Sequence, residues 1–273
     1  MKVLITGSTG QLGSEMVKLF DDVVSSERKL LNLENPSKVY EILDRIKPAM
    51  IINCAAMTDV DACQTNRERA YNINAASPSV MATYAIKNNI RFIHFSTDFV
   101  FNGEAGNYSE DSVPDPINYY GMSKIMGDMA VESVPNHLIV RTSGVYGVKN
   151  NFPVVVYKRL RDGKEVRVID SYYSPIHSKN LARAASELIK SNFSGRINIS
   201  GERISRKDFA LRIADFFRLD SSKIIESQEF SGQIARRPRD SSLNIDEARS
   251  VLKWDFYSVK ANLSQMDVKN LSL

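Results

Sequence analysis

Short apolar runs alternate with longer stretches of helical periodicity through the first half of the chain. Val3–Thr6 reads as a strand and Gln11–Phe20 as a helix. Val23–Ser25 is the next strand, followed by a helical pattern at Asn35–Ile46. Met50–Asn53, Arg91–Ser96 and His137–Thr142 are further strands, separated by helical stretches near Arg67–Lys87 and Asn118–Glu132. Strict alternation predicts an α/β fold with a doubly wound parallel sheet, because parallel neighbours need crossover connections that cover both faces. After Gly147 the rhythm loosens. Helices near Asn151–Arg161, Lys179–Lys190 and Lys207–Phe217 are interleaved with strands at Val166–Ile169 and Arg196–Ile199. The reading is a first domain over 1–147 and a smaller C-terminal lobe over 148–273, packed as one unit. Phe209, Ile213 and Phe216 recur at helical spacing and read as the lobe's core face.

The turn after the first strand carries the first chemical signal, GSTGQLG. Gly7 permits a tight turn, Gly10 lets the backbone approach a pyrophosphate, and Gly13 lets helix pack on strand. Gln11 and Leu12 complete the turn. Chance spacing is a weak objection, because the motif falls between the first strand and the first helix. The sheet is therefore expected to be Rossmann-type, with 1–147 binding a dinucleotide and 148–273 carrying the substrate. The spacing is GxxGxxG, the variant found in short-chain dehydrogenases/reductases. The end of the second strand reads Ser25-Ser26-Glu27-Arg28-Lys29. Hydroxyls and cations there suit a ribose 2′-phosphate, so NADP(H) is favoured; Glu27 argues the other way, and a solvated charged loop is the bland alternative. Asn32 and Leu33, then Cys54, Ala55, Ala56 and Thr58, follow strand-like segments and leave room for adenosine and ribose.

Strand four ends in Ser96-Thr97-Asp98, at the edge where open α/β sheets hold ligands. Tyr120 and Lys124 follow at four-residue spacing on one helical face. Carbonyl reduction needs a proton donor as hydride arrives; Tyr120 can supply it, with Lys124 as the neighbouring cation and Thr97 holding the carbonyl oxygen.

These stretches, with NCAAMTDVDACQ, FSTDFVFNGE, VRTSGVYG, DSYYSPIHSKNLARAA and RRPRDSSLN, resemble the dTDP-4-dehydrorhamnose reductases of the extended short-chain dehydrogenase/reductase group over nearly the whole chain. The resemblance implies reduction of the C4 ketone of a nucleotide-linked deoxysugar by NADP(H). It places Thr97, Tyr120 and Lys124 in the family triad and Asp98 at a sugar-contacting position. It puts Arg236, Arg237 and Arg239 in a loop over the substrate, with Arg237 the choice for a diphosphate; a basic surface turn is the plain alternative. One departure stands out. The family usually reads RTSWVYG, and this chain has Gly144 in place of a tryptophan that packs on substrate, so a stacking surface is expected to be lost and a void opened. Glu15 coincides with a carboxylate that some members use for magnesium at a homodimer contact. A lone helical Glu reads as surface, and no metal is assigned.

The same segments also resemble the regulatory β subunit of methionine adenosyltransferase, an NADP-binding protein that acts by associating with a catalytic subunit. A nucleotide-sugar epimerase is a third reading, although such enzymes usually carry a longer substrate lobe and hold NAD.

Composition adds limits. With 36 basic and 32 acidic residues the net charge is +4, which suits an anionic small molecule but not a nucleic-acid partner. Cys54 and Cys63 lack CxxC spacing, so neither zinc nor a disulfide framework is expected. No apolar run has the length of a membrane span, and the chain begins on a strand-like segment; a cytoplasmic protein is expected. His94 and His137 read as core histidines within apolar strands, and Trp254 as packing.

Overall fold

The computed structural model describes residues 1–149, 151–227 and 232–268. In chain order the first elements are β1 (Val3–Thr6), α1 (Gly13–Val17), β2 (Val23–Ser26), α2 (Pro36–Ile46) and β3 (Met50–Asn53). Then come α3 (Val60–Thr65), α4 (Arg67–Tyr71), α5 (Ser77–Asn88), β4 (Arg91–Thr97), α6 (Tyr119–Glu132) and β5 (His137–Thr142). Next are α7 (Phe152–Arg161), β6 (Val166–Ile169), β7 (Tyr172–Tyr173), α8 (Ser178–Lys190) and β8 (Gly195–Asn198). The chain continues through β9 (Ile204–Ser205), α9 (Arg206–Phe217), β10 (Ile224–Ser227), α10 (Asp246–Val251) and α11 (Val259–Leu263).

Six parallel strands form the main sheet in the order β2-β1-β3-β4-β5-β8. Strand periodicity sends alternate side chains to opposite faces. Val3, Ile5, Ile52, Ile93, Leu138 and Val140 face a core shared with Met16 of α1 and Leu181, Ala185 and Leu188 of α8. Leu4, Ile51, Phe92 and Ile139 face the other, against Val39 and Leu43 of α2, Met81 and Ala85 of α5, and Val131 of α6. The chain reverses its direction of winding between β1 and β3, which opens a crevice at their carboxyl ends.

Several elements differ from the pattern reading. The first helix is shorter than 11–20, because the glycine turn occupies its beginning. Helix α3, which the pattern did not predict, is capped by Asp59, whose side chain accepts from the Ala62 amide at 2.9 Å. The long helix expected at 67–87 is interrupted by a π-helical turn at Asn72–Ala76. There Asn74 accepts from the Met57 amide at 2.8 Å and donates to the Met57 carbonyl and to Ser123 Oγ, both at 3.0 Å. A single π turn of this kind often marks a functional site; here it ties the loop after β3 to α6.

The strand expected at 196–199 within the smaller lobe is instead β8, paired with β5 in the main sheet. A second core does exist: Val154, Leu160, Val166, Val168, Phe209, Ile213 and Leu263 pack together from α7, β6, α9 and α11. Phe209 and Ile213 are fully buried as expected, whereas Phe216 is 42% exposed and leans on Phe217. The final residues of the 148–273 lobe, 269–273, lie outside the described residues.

Helix α6 approaches its neighbours without side chains between them. A Cβ on Gly127 would lie 2.3 Å from the Asn74 carbonyl oxygen, and one on Gly121 would lie 2.0 Å from that of Phe99. Gly127→Ala is therefore expected to lower stability by about 1–3 kcal/mol through overpacking. Chemical denaturation checks this, and a midpoint equal to that of the unaltered protein would remove the constraint argued here.

Candidate active site

The glycine turn stands where the crevice opens. Gly7 has φ +64° and a Cβ there would sit 2.8 Å from the Ala55 backbone, so both conformation and space require glycine. A cavity of about 310 Å³ runs from Gly7 and Gly10 past Ser26, Arg28, Asn32 and Leu33 to Cys54, Ala55 and Ala56. Ser26 is buried and its hydroxyl has no partner, which leaves a donor for a ligand in the groove. Arg28 pairs with Glu34 at 2.5 Å. Arg69, which the sequence reading missed, lines the same cavity and reaches the same carboxylate at 2.6 Å. Burial alone would raise the Glu34 pKa, but the two guanidinium groups hold it below its ordinary value.

A second cavity, of about 360 Å³, shares Gly10, Cys54 and Ala56 with the first. It brings together Gln11, Leu12, Thr58, Thr97, Tyr120, Lys124 and Gly144, residues separated by up to half the chain. Gln11 is fixed there, donating to Ser178 Oγ at 3.3 Å and accepting from the Lys149 amide at 3.1 Å. Gly13 lies behind the turn, pressed against the Gly7 carbonyl.

Asn118 starts α6 by accepting from the Gly121 amide at 2.9 Å. The same side chain donates to the Arg236 carbonyl at 2.9 Å, which joins the helix to the arginine loop. Tyr120 is 9% exposed and its ring meets Phe99 edge-on. Burial pushes its phenol pKa well above the ordinary value, while the neighbouring Thr97 hydroxyl pulls it back. Lys124 is 1% exposed and donates to the Phe95 carbonyl at 2.7 Å. Burial lowers its pKa to about 8, against the pull of Asp128 and Cys54. The apolar surroundings thus keep Tyr120 protonated and bring the Lys124 ammonium closer to losing its proton.

Two other expected residues have more internal partners than the sequence suggested. Asp98 is 3% exposed; its Oδ2 accepts from Ser241 at 2.5 Å and Ser143 at 2.7 Å, and its Oδ1 from Thr97 at 3.1 Å. Burial raises its pKa although those hydroxyls act the other way. Arg237 makes a bidentate pair with Asp61, at 2.9 and 3.2 Å, at the border of a cavity that Arg236 and Arg239 also line. Arg239 pairs with Asp170 at 2.7 Å, and Arg236 is exposed. Glu15 is engaged with Lys18 at 2.9 Å.

Comparison with known proteins resolves what this arrangement belongs to. The family described as RmlD substrate binding domain matches residues 1–270. The chain belongs to that family. A probable low-salt glycan biosynthesis reductase of Haloferax volcanii is 33% identical, over 98% of this chain and 97% of its own. A dTDP-4-dehydrorhamnose reductase of Aggregatibacter actinomycetemcomitans is 31% identical over 89% and 90%. Among solved structures, a hypothetical dTDP-4-dehydrorhamnose reductase from Sulfolobus tokodaii superposes with a TM-score of 0.92 at 41% identity, covering 98% of this chain and 100% of that one. The enzyme from Bacillus anthracis, solved in complex with NADP, gives 0.90 at 30% identity, covering 98% and 99%.

Against this RmlD background the expected void at position 144 is absent. Gly144 has φ +51°, and a Cβ there would lie 2.7 Å from Cε2 of Tyr173. The Tyr173 ring fills the space, backed by Phe152 and Phe209 and overlain by the Arg206 guanidinium at 4.4 Å. Its hydroxyl is buried without a partner. The aromatic ring beside Gly144 comes from a different strand, which no local pattern around 144 could reveal. Gly144→Ala is expected to cost about 1–3 kcal/mol, since it combines an unfavourable backbone with a collision. An unchanged thermal midpoint would contradict that assignment.

Proposed function

We propose that this chain reduces the C4 ketone of a nucleotide-activated deoxysugar with NADPH, converting dTDP-4-dehydro-L-rhamnose to dTDP-L-rhamnose. The observation that carries the reading is the shared cavity, in which Thr97, Tyr120 and Lys124 open directly onto the glycine-turn groove. The close Gly7–Ala55 approach and the unpartnered Ser26 hydroxyl fit a dinucleotide, with Arg28 and Arg69 beside the adenosine end. Bound NADPH supplies the hydride. Tyr120, kept protonated by burial, holds the proton that the developing alkoxide takes. Thr97 orients the ketone oxygen, and Lys124 fixes the nicotinamide ribose. Asp98 holds Thr97 in place, while Arg236 and Arg237 face the diphosphate. Tyr173 offers its ring edge and free hydroxyl to the sugar in place of the family tryptophan.

The named relatives of this RmlD chain are reductases, which supports catalysis over the regulatory-subunit and epimerase readings. Among the described residues no helix is long and apolar enough to cross a membrane, and a cytoplasmic site of action is part of the proposal.

Tyr120→Phe is expected to reduce turnover by about 10²–10⁴-fold, the usual range for a lost general acid, with NADPH affinity retained. The measurement is NADPH oxidation with enzymatically generated dTDP-4-dehydro-L-rhamnose; undiminished turnover in the variant would refute the assignment. Tyr173→Phe should raise KM for the sugar nucleotide several-fold, about what one hydrogen bond contributes, and leave the NADPH dissociation constant unchanged. An unaltered KM would take the Tyr173 hydroxyl out of the substrate site.

A further inference from the structure

A row of polar side chains lies beneath the reacting residues, on the sheet face that packs against α6. Its members follow from register. Thr6 pairs with Asn53 and Asn53 with His94 across β1, β3 and β4, so the three sit side by side. His94 shares its face with Phe92 and Ser96, and that face is covered by α6, which carries Tyr120, Lys124 and Asp128 at successive four-residue steps.

Asn53 can be oriented without ambiguity. Its Oδ1 accepts from Thr6 Oγ1 at 2.5 Å and from the Ala55 amide at 3.2 Å, and a backbone N–H can only donate. The side-chain amide nitrogen is therefore the end that faces His94 Nδ1, at 3.0 Å. It donates to Nδ1. A neutral imidazole that accepts at Nδ1 carries its proton on Nε2. Burial, reinforced by Lys124, keeps this ring neutral by pushing its pKa well below the ordinary value.

His94 Nε2 lies 3.0 Å from Lys124 Nζ and 3.5 Å from Asp128 Oδ1. Asp128 Oδ1 has no hydrogen-bond partner, whereas Oδ2 accepts from Ser96 at 2.5 Å. With its proton on Nε2, His94 cannot accept from an ammonium at Nζ, but it can donate to an amine there. The ring therefore favours loss of charge at Lys124, while Asp128 favours its retention. Other groups around the cluster are accounted for. The Cys54 thiol from the loop after β3 is kept neutral by burial. Tyr120 stays protonated, and Arg141 of β5 and Arg196 of β8 act on Asp128.

We propose that His94, locked by Asn53 with its proton on Nε2, is a positioning residue that faces Lys124 and sets the pH at which Lys124 loses its charge. The proposal rests on the reductase reading for its kinetic consequence, but not for its structural one. If charged Lys124 is the working form, activity falls as pH rises through the Lys124 pKa, near 8. Removing the opposing N–H should raise that pKa and carry the alkaline limb upward.

The test has two parts. In unaltered protein labelled with ¹⁵N-histidine, the His94 resonances should report the neutral Nε2–H form throughout the neutral range; the Nδ1–H form or an imidazolium would overturn the proposal. In His94→Leu, the alkaline limb of kcat/KM should move up by about one pH unit, a modest shift for one facing charge or dipole. The Lys124 titration, followed by NMR of ¹³C-lysine and assigned by its loss in Lys124→Arg, should move with it. A limb and titration that stay in place or move down would also overturn it. Absence of turnover would strike the reductase reading alone, because both NMR measurements are made without substrate.

Discussion

Everything chemical in this RmlD chain depends on how closely α6 can lie against its neighbours. The helix touches the Phe99 and Asn74 carbonyls through Gly121 and Gly127, which bracket Lys124 along the same helix. A side chain at either point would hold the helix off its neighbour. Tyr120, Lys124 and Asp128 would then withdraw from the ends of β3 and β4, where the crevice between β1 and β3 opens. The π turn at Asn72–Ala76 serves the same contact from the other side, since Asn74 holds both Ser123 of α6 and the Met57 backbone. One packing constraint thus fixes the reacting face and the cofactor loop together.

The cost of that closeness is electrostatic. A lysine, an aspartate and a histidine are brought out of water within a few ångströms of one another, and each would be strongly disfavoured alone. Burial raises the Asp128 pKa and lowers those of Lys124 and His94, so all three are drawn toward their uncharged forms. His94 is thereby held neutral, and a neutral ring is ordered by hydrogen bonds, which are directional. The row from Thr6 through Asn53 to His94 supplies direction where charge pairing would supply only attraction.

Much of this was legible in the sequence, and for physical reasons. Parallel strands buried on both faces read as short apolar runs, and the glycine turn and the Tyr120–Lys124 spacing are local. The triad, the turn and the residues after β3 line two adjoining cavities that share Gly10, Cys54 and Ala56. Asp128 could have been found by extending the same four-residue step along α6. What stayed hidden depends on partners distant in the chain. A strand's own residues do not say which neighbour it joins, so β8 was placed in the wrong layer. His94 is indistinguishable from an apolar-strand histidine until the register sets Asn53 beside it. Arg237 and Asp98 gave no local sign of the Asp61 pair or the serine hydroxyls that hold them.

Position 144 shows the limit most clearly. Read alone, glycine in place of tryptophan subtracts an aromatic surface, and the natural inference is a weakened sugar site. The structure instead places the ring of Tyr173 within contact distance of where a Gly144 side chain would begin. The exchange is not neutral. An indole presents a flat face and an N–H, whereas Tyr173 is wedged against Phe152 and Phe209 and presents an edge and a hydroxyl. Gly144 has φ +51°, a conformation that a bulky side chain such as tryptophan seldom adopts. The two positions therefore form one unit: a side chain at 144 would collide with Tyr173, and loss of the Tyr173 ring would leave a gap beside Gly144. The packing around position 144 is thus set by a residue far along the chain rather than by the RTSGVYG segment in which the difference is first noticed.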